Sequence, residues 1–150
     1  MRQAGWCALF AAFAFAIAGC GGGGEKKAES EAANEQAQAA CNGAALAGTE
    51  KLKLPPSFPQ IEAEKVTYTQ QRTEGPTNIV EGYFKGSLED AHDEYKKELE
   101  GAGFKILFDE IEENDSEVSW EGEGRTGQVA LRKECGEDDK IYVHITNRPE

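Results

Sequence analysis

Three stretches in the second half of the chain alternate with a period of two. Val118 and Trp120 stand between Glu117, Ser119 and Glu121; Val129 and Leu131 between Gln128, Ala130 and Arg132; Ile141, Val143 and Ile145 between Tyr142, His144 and Thr146. That period turns the apolar side chains to one face of a strand and leaves the other face wet, so the pattern predicts three strands of a meander. Upstream, the β-branched and aromatic run Val66-Thr67-Tyr68-Thr69-Gln70 predicts a strand, Gly75-Pro76 a turn, and residues 78–84 the returning strand. Ser87 is a natural N-cap with Asp90 three residues on, and Leu88, Ala91, Tyr95, Leu99 and Ala102 recur at helical spacing until Gly101 and Gly103 stop the helix. Phe104 to Ile111 reads as another strand. The order β-β-α-β-β-β-β predicts an α+β fold, a mainly antiparallel curved sheet with one helix packed on one face, where the meander's apolar residues meet Leu88, Tyr95 and Leu99.

The strands flanking the helix are apolar on both faces. Val80, Phe84, Ile106 and Phe108 serve the core, which leaves Ile79, Tyr83, Leu107 and Ile111 for a second face. Either the proline-punctuated segment Leu52 to Ile61 covers that face or it is a contact surface for a partner. Cover by the segment is the expectation carried forward.

The N-terminus has a different pattern. One basic residue, Arg2, precedes an unbroken apolar run from Trp6 to Ala18, long enough for the core of a secretory signal and short of the ~20 residues that span a bilayer. It ends in Ile17-Ala18-Gly19-Cys20, which resembles the lipobox of bacterial lipoproteins. The resemblance covers the first twenty residues. It implies a diacylglycerol thioether on Cys20, cleavage before it and acylation of the new amine, hence a protein anchored by lipid on the extracytoplasmic side. Gly21 in place of Asp favours the outer membrane where the host has one. Residues 1–19 are then the signal peptide and 20–50 the lipidated cysteine with a flexible tether. Residues 21–40 contain no Leu, Ile, Val or aromatic residue to dock a helix. Residues 51–150 form a single α+β domain.

Charge and cysteine usage narrow the partners. The net charge is −12, and removal of residues 1–19, which takes away Arg2 and no acidic residue, leaves −13. Such a chain repels phosphate, which argues against nucleic acid and anionic headgroups as partners and otherwise reads as plain solubility. Cys41 and Cys135 remain beyond Cys7 and Cys20; in an exported protein an even pair reads first as a disulfide, with two free thiols as the competing reading.

Chemistry-bearing patterns are scarce. His92 and His144 have no nucleophile or acid beside them in sequence, Gly122-Glu123-Gly124-Arg125-Thr126-Gly127 runs into a strand and reads as a hairpin turn, and the acidic turns lack the ligand order of a calcium loop. No catalytic residue, metal site or cofactor is expected. The expected function is a non-enzymatic, lipid-anchored envelope protein that binds another envelope protein. The alternative is a small hydrophobic-ligand binder with a cavity between helix and sheet lined by Tyr95, Phe108 and Trp120.

Overall fold

The computed structural model describes residues 24–47 and 51–150, with side chains from residue 31 onward. The signal-like segment and Cys20 lie outside the described residues. The elements are α1 (Gly24–Cys41), β1 (Val66–Glu74), β2 (Thr77–Lys85), α2 (Leu88–Gly101), β3 (Lys105–Ile111), β4 (Asp115–Gly122), β5 (Arg125–Arg132) and β6 (Lys140–Pro149). All six strands pair antiparallel in one open sheet ordered β1-β2-β6-β5-β4-β3. The α+β architecture and the strand–helix order are those that the periodicity predicts.

Helix α2 starts as its sequence dictates. The Ser87 hydroxyl accepts from the Asp90 amide at 3.0 Å while the Asp90 carboxylate accepts from the Ser87 amide at 3.3 Å, closing a capping box. Its stripe of Leu88, Ala91, Tyr95 and Leu99 is buried against Val118, Trp120, Val129, Leu131, Ile141, Val143 and Ile145. Leu52, Leu54, Phe58 and Ile61 pack onto this same cluster, with the Phe58 and Phe104 rings 5.6 and 5.1 Å from Trp120. The 52–61 segment therefore covers the face that α2 covers, not the second face. It turns at Pro55–Phe58, where the Phe58 amide donates to the Pro55 carbonyl at 3.0 Å, and Glu123, in the β4–β5 turn, accepts from both the amide and the hydroxyl of Ser57.

Gly127 makes room for Trp120. The two face each other across β4 and β5, and a Cβ at Gly127 would lie 2.3 Å from Trp120 Cζ2 and 2.4 Å from the Thr146 carbonyl oxygen. Gly127→Ala must displace an indole in a packed core, so it is expected to lower stability by ~1–3 kcal/mol, read as a shift of the urea midpoint.

The tether departs from expectation. Residues 24–41 form helix α1, and its last turns dock: Ala37, Ala40 and Cys41 are buried against Cys135, Tyr142 and Tyr83, while residues 31–35 are exposed. No apolar stripe drives this docking. Two alanines let the helix approach the sheet closely, the Thr69 hydroxyl donates to the Ala40 carbonyl at 2.8 Å, Gln38 donates to the Glu134 carbonyl, and a Cys41–Cys135 disulfide closes the contact. Helix α1 thus covers β1, β2 and β6 on the face opposite α2. Among the described residues no element covers the half of that face formed by β5, β4 and β3.

Candidate interaction surface

Strand β3, Lys105-Ile106-Leu107-Phe108-Asp109-Glu110-Ile111, ends the sheet and, among the described residues, pairs only with β4. Its register slips between Ile106 and Phe108: Ile106 pairs with Trp120 and Phe108 with Ser119, so Leu107 is an inserted residue. The bulge sets the direction of every side chain after it. Ile106 follows Trp120 toward α2, and Asp109 and Ile111 follow Val118 and Ser116 the same way. Phe108 follows Ser119 to the open face, where Leu107 shares a shallow hollow with Ser119, Thr126, Gln128 and Thr146.

The exposed large apolar side chains among the described residues are Leu107 (48 %), Phe108 (49 %) and Ile111 (43 %), and all three belong to β3. Acidic groups surround them. Glu110 lies on the strand, Glu112 and Glu113 on the turn that follows, and none of these three has a cationic partner among the described residues. At the other end Lys105 is paired with Glu121 at 2.7 Å.

The four residues Ile79, Tyr83, Leu107 and Ile111 do not form one face. Helix α2 carries the chain across the sheet, so β6, β5 and β4 separate β2 from β3. Ile79 is buried, at 5 % exposure, and Tyr83 packs beside the α1 cluster with the Lys140 ammonium 4.5 Å from its ring. The bulge then places Ile111 on the face opposite Leu107. The cavity expected for a ligand does not assemble either, because Tyr95 and Trp120 are fully buried in the core while Phe108 stands exposed on the other side of the sheet. A surface groove of ≈ 510 Å³ between the 52–61 segment and β1 is lined in part by Leu46, Leu52, Leu54 and Val66.

Both histidines have partners that sequence distance hides. His92 Nδ1 lies 2.5 Å from the Ser116 hydroxyl and its Nε2 3.6 Å from an Asp109 oxygen. The Lys96 ammonium, hydrogen-bonded to Asp109 at 2.7 Å, holds that carboxyl below its ordinary range, and His92 adds to the effect. This serine, histidine and aspartate present no exposed nucleophile: Ser116 and His92 are buried, and they fasten β3 and β4 to α2.

His144 belongs to a second cluster, under α1. Glu81 is fully buried, and its Oε1 accepts from Gln36 and Tyr142 at 2.5 Å and lies 3.0 Å from His144 Nδ1, while Arg72 bonds Oε2. Burial alone would raise this carboxyl, but the hydrogen bonds from His144, Tyr142 and Gln36, together with the Arg72 charge, bring it down to about 2. Every partner serves to keep this one carboxylate ionised. Among the described residues no cluster of three or more His, Cys, Asp or Glu is arranged to hold a metal ion, and no helix is long and apolar enough to cross a membrane.

Comparison with protein-family models, with curated proteins and with solved structures finds no match to this chain.

Proposed function

We propose that this protein is a lipid-anchored component of the cell envelope, held through Cys20 on the extracytoplasmic side, whose domain binds another envelope protein without catalysing a reaction. The observation that carries the interaction reading is the concentration of the exposed large apolar side chains on one edge strand, β3, in a domain that packs its other apolar residues on two faces. Side chains left bare in this way mark contact sites. The anchor rests on the lipobox resemblance of Ile17-Ala18-Gly19-Cys20. Helix α1 begins four residues after Cys20 and rises ~27 Å at 1.5 Å per residue, so the link from lipid to domain is a semi-rigid stalk docked at its far end.

Intact mass of protein extracted from membranes tests the anchor. The expected species starts at Cys20 and carries acyl mass, with Cys41 and Cys135 alkylated only after reduction. An unacylated chain in the medium would overturn the envelope assignment.

A further inference from the structure

We infer that β3 is a docking edge, and that its partner is an extended basic segment of another protein that adds to the sheet as a seventh strand. The inference rests on the interaction reading above and names the class of partner.

Three observations converge on it. First, among the described residues β3 pairs on one side only, so the backbone groups along its outer edge face no other described strand and can take one. Second, its exposed apolar side chains lie on both faces of the sheet: Leu107 and Phe108 on the open face, Ile111 on the α2 face beyond Asp109. A partner laid across either face would reach only part of this set. A strand running alongside reaches all of it, because its own side chains alternate between the faces.

Third, once Lys105 is paired with Glu121 and Lys96 with Asp109, the charge left unpaired on β3 and the turn after it is negative. Glu110, Glu112 and Glu113 are unpaired among the described residues, in a chain of net charge −12. A second copy pairing β3 with β3 in parallel would set these carboxylates against their own kind, and in either orientation it would bring together two chains of net charge −12, which disfavours self-association. Lysines or arginines alternating with apolar residues would meet both the carboxylates and the apolar side chains. The opposite edge of the sheet lacks these features: β1 already bonds residue 46 through the Leu46 amide to the Tyr68 carbonyl at 2.8 Å, and it exposes no large apolar side chain.

The test uses the full chain, ¹⁵N-labelled in detergent, titrated with acetylated, amidated Lys-Val-Lys-Val-Lys-Val-Lys and with the same peptide carrying Glu for Lys. The basic peptide is expected to give saturable shifts at Leu107, Phe108 and Ile111 together, to slow amide exchange along 105–111, and to weaken with added salt. The triple variant Leu107→Ser/Phe108→Ser/Ile111→Ser is expected to bind at least tenfold more weakly. Should it lose the sheet's spectrum, Phe108→Ser alone carries the comparison. Equal binding of the acidic peptide, equal binding by the variant, or no saturable binding would overturn the inference. So would shifts at Leu107 and Phe108 without Ile111, which would leave a face-docking partner and the broader interaction reading intact. Shifts at β3 that follow protein concentration without peptide would assign the edge to a second copy instead. The acylation result bears on the envelope assignment alone, so the two readings fail separately.

Discussion

Replacing Cys41 and Cys135 together by serine is expected to lower the unfolding free energy by ~4–5 kcal/mol in the chain-entropy account of a crosslink. The bond joins residues 94 apart, so it restricts most of the unfolded domain, and small domains are stable by only about 5–15 kcal/mol in total. A second effect is local. An 18-residue helix without tertiary support is marginal in water, and α1 brings only Ala37, Ala40 and a few polar contacts to the sheet. The double variant is therefore expected to lose helical far-UV signal at denaturant concentrations where the sheet persists, and wild-type protein in reductant should behave the same way. Urea titration followed by far-UV dichroism and by Trp120 fluorescence separates the two effects. A loss below ~1 kcal/mol with the helical signal kept would show that the alanine contacts hold α1 without the bond.

This helix is also where reading the sequence falls short, for a physical reason. Strands β4, β5 and β6 announce themselves because large apolar residues alternate along them, although Ala130 and Tyr142 on the other face are buried as well, and α2 because Ser87, Asp90 and an apolar stripe at helical spacing agree. Helix α1 has no such stripe. Its docking depends on a covalent bond and on backbone carbonyls meeting side chains from residues 69 and 38, which no local pattern encodes. The interaction edge is half legible. Leu107 and Ile111 stand out as surplus apolar residues, but period-two counting groups them with each other and with Ile79 and Tyr83. The signal that separates them is the run Ile106-Leu107-Phe108 followed by Asp109, where three consecutive apolar residues break the alternation at the bulge. The partners of Glu81 come from positions 36, 72, 142 and 144, so nothing around it in sequence marks it as buried.

Glu81→Ala is expected to cost ~3 kcal/mol, the low end of the ~3–5 kcal/mol that follows removal of one partner from a buried ion pair, because Arg72 is a third exposed and water relieves part of its charge. Tyr142, Gln36 and His144 would still lose the acceptor that they converge on, and α1 would lose its Gln36 contact with the sheet. The pH dependence tells the charge from the shape. The folded carboxyl titrates at about 2 against an ordinary 4.5, so the unfolded chain takes up the proton first as pH falls. The stabilisation from this group is fully present above about 4.5 and is lost as pH falls through the range toward 2, a change of about 3 kcal/mol at 1.36 kcal/mol per unit. Glu81→Gln preserves the volume and cannot ionise. The difference in unfolding free energy between wild type and Glu81→Gln, measured in urea from pH 7 to pH 2, should be constant down to about 4.5 and then shrink toward zero, since the other carboxylates titrate alike in both proteins. A difference that stays constant to pH 2 would place the effect in packing and hydrogen-bond geometry rather than in the buried charge.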